Sequence, residues 1–203
     1  MAIEGGLYLL SCKICYNNFG DGMHKPLTKI MHDFLRPHLN QEAIVIDATC
    51  GNGQDTVFLA EHTKEVFAFD IQKKALEQTK KTLAKTGLTN VRLIHDSHEN
   101  IALYTVDAIE VIMFNLGYLP GGDKTITTMR ESTLSALKVA LELLKPSGLI
   151  SLIIYPGHKE GLKETNAVLA WFKTLPKEKY EILSIEKYTD EKAPKGFLIQ
   201  KKG

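Results

Sequence analysis

From residue 23 onward, short apolar runs alternate with amphipathic stretches, and the alternation predicts a β/α chain. The segment 26–35 has the 3.6-residue periodicity of a helix, stopped before Pro37. AIVID (43–47) is a short apolar run suited to a buried parallel strand. A helix follows over 54–62, then a strand at 65–70 (EVFAFD) and a helix over 71–86 ended by Gly87. Strands at 91–95 and 107–114 bracket a short helix at 99–104. A Gly/Pro-rich loop, 115–124, precedes a long helix to about residue 144. Pro146, Ser147 and Gly148 form a turn before a fifth strand at 149–155, and a helix spans 161–173. The last two runs, 180–188 and 196–201, pattern as an antiparallel pair. Five β/α units and a hairpin predict a doubly wound, mostly parallel, seven-stranded sheet with helices on both faces.

Residues 1–22 do not share this pattern. They hold one apolar patch, 7–10, followed by Asn17, Asn18, Gly20, Asp21 and Gly22. The expected organisation is a weakly ordered extension over 1–22 and one domain over 23–203. Cys12 and Cys15 have half of a zinc-site spacing, but no matching pair follows, so no metal site is expected.

Composition narrows the classes further. The 203 residues carry a net charge of +1, with 44% hydrophobic and 24% charged positions. These values suit a globular domain and exclude a strongly basic, non-specific nucleic-acid binder. They leave room for a protein that holds one folded RNA through local patches. No apolar run is long enough to span a bilayer, and no signal-peptide pattern opens the chain. Three cysteines, including Cys50, fit a reduced cytoplasmic protein.

Candidate chemistry concentrates where the strands end. Asp47-Ala48-Thr49-Cys50-Gly51-Asn52-Gly53 lies between the first long strand and its helix. Small residues there let the backbone turn tightly and approach a ligand, and the unit reads as Rossmann-like. Asp70 ends the next strand, where a carboxylate can accept hydrogen bonds from both ribose hydroxyls of an adenosine. Gln72, Asp96, Ser97 and His98 lie within reach of the adenine edge. A pyrophosphate dinucleotide prefers Gly or Ala at the position held by Thr56, and Asp55 would repel phosphate. S-adenosylmethionine has no phosphate and bears a sulfonium, so an acidic rim suits it. An NAD site and a glycine turn without ligand remain the alternatives.

Asn115-Leu116-Gly117-Tyr118 follows the fourth strand at the same sheet edge. It resembles the Asn-Pro-Pro-Tyr signature of amino-group methyltransferases. There an Asn carbonyl and the next backbone carbonyl accept the two amine N–H bonds, and an aromatic ring packs on the substrate. Leu116 and Gly117 replace the two prolines. His158, in Tyr155-Pro156-Gly157-His158, either touches the amine or caps the following helix. His32 and His38 read as surface groups or local hydrogen-bond partners.

These motifs together, with His95-Asp96-Ser97-His98 and the run from Asn115 to Lys124, resemble the bacterial tRNA 5-aminomethyl-2-thiouridine methyltransferases, once described as rRNA methylases. The resemblance runs from about residue 23 to the C-terminus. It implies methylation of the aminomethyl group of the wobble uridine in the tRNA anticodon region. It also implies a cytosolic enzyme using S-adenosylmethionine, with a homodimer left open. Asn52, Asp70, Gln72, Ser97 and His98 carry over to the donor, and Asn115 to Tyr118 to the amine. A small-molecule or rRNA amine methyltransferase and a non-catalytic RNA-binding protein are the rival readings. For RNA, Lys124, Arg130, Lys192 and Lys195 are the candidate phosphate contacts, and Tyr118 is a stacking candidate. The Lys-rich helix from Lys73 to Lys85 reads instead as a solvated face.

Overall fold

The structure, a computed structural model, describes Leu10, Ser11 and residues 26–105, 108–117, 130–187 and 190–203. The Cys12/Cys15 pair, Tyr118 and Lys124 lie outside the described residues. One sheet organises the molecule. In chain order its strands are β1 (Leu10–Ser11), β2 (Ile44–Asp47), β3 (Glu65–Asp70), β4 (Val91–His95), β5 (Ile109–Asn115), β6 (Leu144–Ile154), β7 (Tyr180–Ile185) and β8 (Lys195–Lys201). Their spatial order is β1-β7-β8-β6-β5-β2-β3-β4. β8 runs antiparallel to both β6 and β7, and the other neighbours pair in parallel. This is the predicted doubly wound sheet with its terminal hairpin. The correction is its eighth strand: Leu10 and Ser11 pair with Leu183 and Ser184 at the outer edge. Two residues are too few to show a period of two, so the sequence pattern carried no sign of it.

The helices are α1 (Leu27–Leu35), α2 (Gln54–Ala60), α3 (Lys73–Ala84), α4 (Arg130–Leu143) and α5 (Lys159–Phe172), with 3-10 turns at Arg36–His38 and His98–Leu103. Alternation along the central strands splits the core into two layers. Ile46, Ile112 and Phe114 point to one side and pack with Ala136 and Leu137 of α4 and Val168 and Phe172 of α5. Val45, Val111 and Met113 point to the other and pack with Met31 and Leu35 of α1 and Phe58 and Leu59 of α2. Central strands buried on both faces explain the near-continuous apolar runs.

α1 ends at Leu35, before Pro37 as expected, and Pro37 sits in the 3-10 turn that follows, where its fixed φ is tolerated. Two other boundaries differ from the sequence expectation for local reasons. β6 begins at Leu144, before the expected turn. Leu144 pairs with Ile109 and Leu149 with Val111, so the Pro146-Ser147-Gly148 turn bulges out within the strand. Ser147 takes φ +66° there. The third helix starts at Lys73 because Gln72 is still extended. The lysines of α3 are exposed, as expected of a solvated face. Among the described residues no helix is long and apolar enough to cross a membrane.

The chain leaves β2 for β3 and β4 on one side, then returns to β5 on the other. The carboxyl ends of β2 and β5 therefore flank a topological switch point, where a crevice is expected. Phe114, fully buried beside that point, makes an edge contact with His98 at 5.9 Å between ring centroids. Phe114→Ala is expected to lower unfolding stability by about 3–5 kcal/mol. Chemical denaturation with an unchanged m-value checks this.

Candidate active site

The turn after β2 is built around a buried acid. Asp47, 1% exposed, accepts the Thr49 N–H at 3.2 Å on one carboxylate oxygen and the Thr56 hydroxyl at 2.6 Å on the other. Burial, followed by the charge of Asp55, pushes its pKa up to about 7. The turn backbone is fastened to both flanking strands. Ala48 N–H donates to Met113 O and Cys50 N–H to Phe69 O, each at 2.8 Å. Gly51 and Gly53 take φ +52° and +82°. At Gly53 a Cβ would lie 2.9 Å from the Thr79 methyl, so only glycine lets α3 come this close. From α3, Thr79 donates to Gly51 O at 3.0 Å and Thr82 to Asn52 O at 3.1 Å.

Asp70 ties the turn to β3. It accepts Gly51 N–H at 3.1 Å and Gln72 N–H at 2.8 Å. Burial raises its pKa, and the Gln72 and Gly51 amides partly offset that rise. The bond to Gln72 delays the start of α3 and leaves Ile71 50% exposed at the cleft rim. Farther along the edge, Asp96 accepts from Ser97 N–H, Asn100 and the Tyr104 hydroxyl. Those bonds, Asn100 first, hold its carboxyl below the usual range. His98 is buried, and burial pushes its pKa down to about 4, so the ring is neutral. Its Nε2 has no hydrogen-bond partner among the described residues, although the residue lines the cleft.

Across the switch point, β5 delivers Asn115. Its N–H donates to Thr49 Oγ1 at 2.8 Å, which joins the two halves of the site. Its side-chain amide is fixed at both ends. Tyr155 O–H donates to Asn115 Oδ1 at 2.8 Å, and Asn115 Nδ2 donates to Asp55 Oδ2 at 3.2 Å. His32 Nε2 lies 2.7 Å from the other oxygen of Asp55. The His32 ring stacks on Phe58 at 3.8 Å with an interplanar angle of 4°. Burial, then the charge of Asp55, raises the Tyr155 pKa.

A cleft of about 1090 Å³ runs along these groups. Of the predicted residues, Cys50, Gly51, Asn52, Asp70, Gln72, Asp96, Ser97, His98, Asn115, Leu116, His158 and Lys192 line it. Gly53 lies beneath α3 instead. The Cys50 thiol is buried against Thr79, and burial raises its pKa. The Leu116 side chain is wholly buried in the core. His158 caps α5, with Nδ1 accepting Gly161 N–H at 3.1 Å. Arg130 pairs with Glu131, and Lys195 pairs with Glu186 at 2.5 Å; neither lines the cleft.

The sequence reading missed His32 and Tyr155 as site residues, and it treated Asp55 only as a source of repulsion. His32 is not a surface group or a local partner. It is buried and bonds a residue 23 positions away. Its signal was a polar side chain between Met31 and Leu35 on the apolar stripe of α1.

Two observations bear on what this cleft can hold. Asp55, Asp70, Asp96, Glu99 and Glu131 line it against one lysine, Lys192, among the described residues. That balance suits a cationic ligand and opposes a pyrophosphate. The unpartnered His98 nitrogen and exposed Ile71 provide a polar contact and an apolar face at one rim, as a nucleoside requires. A sulfonium nucleoside therefore fits the residues present.

Comparisons with known proteins agree with this geometry. Residues 66–201 match the family model described as Putative rRNA methylase. A protein of that description from Clostridium thermocellum has 37% identity and a TM-score of 0.85, covering 89% of this chain and all of that one. A Streptococcus mutans protein, described as a putative methyltransferase and solved with SAH, has 37% identity and a TM-score of 0.82, covering 88% and 99%. The chloroplastic tRNA (mnm(5)s(2)U34)-methyltransferase of Arabidopsis thaliana is 38% identical over 166 residues, 75% of this chain and 61% of the relative. The chain spans less than two thirds of the length of the curated relatives named first.

The two buried titrating groups give a pH test. Between pH 4 and 7 folded Asp47 keeps a proton that the unfolded chain has released, so its contribution to stability falls as pH rises. His98 acts oppositely: unfolded histidine gains a proton near pH 6.5, folded His98 only near 4, so stability falls as pH drops through that window. Asp47→Asn removes the first slope. Its thermal midpoint relative to the parent is expected to rise from pH 4.5 to 7.5, and the variant should show the acid lability of His98 uncompensated. Parallel midpoints across that range would refute the assignment.

Proposed function

The chain belongs to the family described as Putative rRNA methylase, and we propose that it is an S-adenosyl-L-methionine-dependent methyltransferase acting on tRNA. Its proposed target is the aminomethyl group of the modified wobble uridine, converted from 5-aminomethyl-2-thiouridine to the 5-methylaminomethyl form. The observation that carries this reading is the Asn115 amide, fixed between Tyr155 and Asp55 at the switch point. The name of the 38% identical Arabidopsis relative supports the choice of tRNA and of this uridine.

When bound, S-adenosyl-L-methionine supplies a methyl group made electrophilic by its sulfonium. Cys50, Gly51, Asn52, Gly53, Asp70 and Gln72 would hold it, with Asp96, Ser97 and His98 at the adenine end. Each Asp70 oxygen accepts one backbone N–H and keeps a lone pair for a ribose hydroxyl. His98, neutral, offers its unpartnered nitrogen.

On the acceptor side, Asn115 Oδ1 takes one amine N–H and the main-chain carbonyl of Leu116 takes another. This aims the nitrogen lone pair along the cleft. Alignment of that kind accounts for a large share of the rate in such a transfer. The bond to Asp55, whose carboxylate can only accept, fixes which end of the amide donates and leaves Oδ1 as the acceptor. An alkyl amine also has to lose a proton. With lysine as a stand-in, freeing the lone pair at pH 7 costs roughly 4–5 kcal/mol in water, and desolvation lowers that cost.

The anticodon region of tRNA is the proposed partner. Lys192, at the cleft, is the best-placed phosphate contact among the described candidates. Arg130 and Lys195 would first have to exchange their carboxylate partners for phosphates. Tyr118 and Lys124 retain their proposed roles in stacking and phosphate contact. Cytoplasmic residence and a homodimer remain part of the proposal.

Mass spectrometry of tRNA nucleosides from cells lacking the protein is expected to show accumulated 5-aminomethyl-2-thiouridine and loss of its methylated form; unchanged nucleosides would remove the reading. In purified protein, Asn115→Ala should lower single-turnover methyl transfer by about 10²-fold while donor affinity, measured by calorimetry, stays close to the parent's.

A further inference from the structure

We infer that Asp55, anchored by His32, receives the protonated alkyl amine of the substrate and takes its proton. The inference rests on the amine reading above and adds the group that selects a cationic amine. Asp55 sits in the first turn of α2, directly after the glycine turn. Its side chain is 11% exposed, and the residue lines the cleft. One oxygen is engaged by His32 at 2.7 Å. Among the described residues, the other accepts only the long 3.2 Å bond from Asn115 Nδ2 and keeps a second lone pair. A nearly buried carboxylate is costly unless it is paired, and here the pairing is one-sided.

The acceptors that meet at this point define the substrate class. Asp55 Oδ2 and Asn115 Oδ1 belong to the two neighbouring middle members of one hydrogen-bonded chain, His32–Asp55–Asn115–Tyr155. An ammonium brings three N–H donors and a positive charge, which suits an acceptor-rich, anionic corner. A hydroxyl brings one donor and no charge, so it would leave buried acceptors unpaired. The chemistry points to a primary alkylammonium.

Proton balance is simple. One N–H bond of the ammonium breaks and an O–H bond forms on Asp55 Oδ2. The electron pair stays on nitrogen, and rotation about the C–N bond turns it from Asp55 toward the methyl group, with Asn115 Oδ1 and the Leu116 carbonyl then holding the two remaining N–H bonds. An ion pair thereby becomes a neutral amine and a neutral acid, the form that a water-poor pocket favours. The proton then passes from Asp55 to water. His32 is a positioning residue: it is buried, stacked on Phe58 and bonded to the oxygen that does not face the amine. Among the described residues, the titratable and charged groups around Asp55 are His32 from α1, Asp47 from β2 and Tyr155 after β6. Glu131, His158 and Lys192 stand farther along the cleft.

The test uses the full chain, SAH and synthetic anticodon stem-loops that carry either 5-aminomethyluridine or 5-hydroxymethyluridine. The parent is expected to bind the aminomethyl RNA more than about tenfold tighter. Asp55→Asn should abolish that preference and leave hydroxymethyl binding unchanged. Its single-turnover pH profile should also move up by more than about one unit, because the amine must now deprotonate in solution. SAH affinity and thermal midpoint report whether the variant is folded. Where it is not, the pair His32→Gln and His32→Leu carries the test. The glutamine can still donate to Asp55 and should keep most of the preference and the parent pH profile; the leucine should lose both. If Asp55→Asn, or His32→Leu in its place, keeps the preference and the parent profile, Asp55 is not the receiving group. A parent without any preference would instead sink the amine reading itself, and this inference with it.

Discussion

The site depends on one crossing: the main chain of Asn115 donates to the Thr49 hydroxyl, and Ala48 donates to the Met113 carbonyl. These two bonds hold the turn after β2 against the end of β5, across the point where the sheet reverses its winding. The two halves of the cleft come from distant parts of the chain, 66 residues apart at this contact. Their spacing is set by sheet pairing, which is stiff and cooperative, and not by loops. Asp47 stabilises the turn from beneath, and its protonated form suits a position next to Asp55. A second full carboxylate there would be repelled by Asp55.

Much of the architecture was readable from periodicity because the central strands are buried on both faces. Runs such as IVID at 44–47 and VIMF at 111–114 have no polar alternation to confuse them with surface strands. The glycine turn was equally readable, since both the tight approach of α3 and the positive φ demand glycine at Gly53. The missing pieces share a cause. β1 is two residues long, and its existence depends on an open edge of β7 that only the folded hairpin provides. The bulge at Ser147 follows from register against β5, which no local pattern encodes.

The candidate site was legible where a residue's job is local and obscure where it is relational. Asp70 follows a strand and precedes a helix, so its place at the crevice could be read directly. His32 lies in another element, before the first long strand, and gains its meaning only when α1 packs over α2. Asp55 was visible as a charge, but its two bonds face residues 23 and 60 positions away. Leu116 shows the reverse. It sits in the motif by sequence, yet its side chain belongs to the core and leaves only the backbone for chemistry.

Because Asp70 captures the Gln72 amide, the helix beyond it begins late and Ile71 is stranded half in water. Half of that aliphatic surface is left wet among the described residues. A flat aromatic ring entering beside it would be gripped through dehydration alone, with no demand on hydrogen-bonding pattern. In the proposed reading, the same carboxylate that would grip the sugar also prepares the shelf for the base, so a change at Asp70 would weaken recognition of both moieties together.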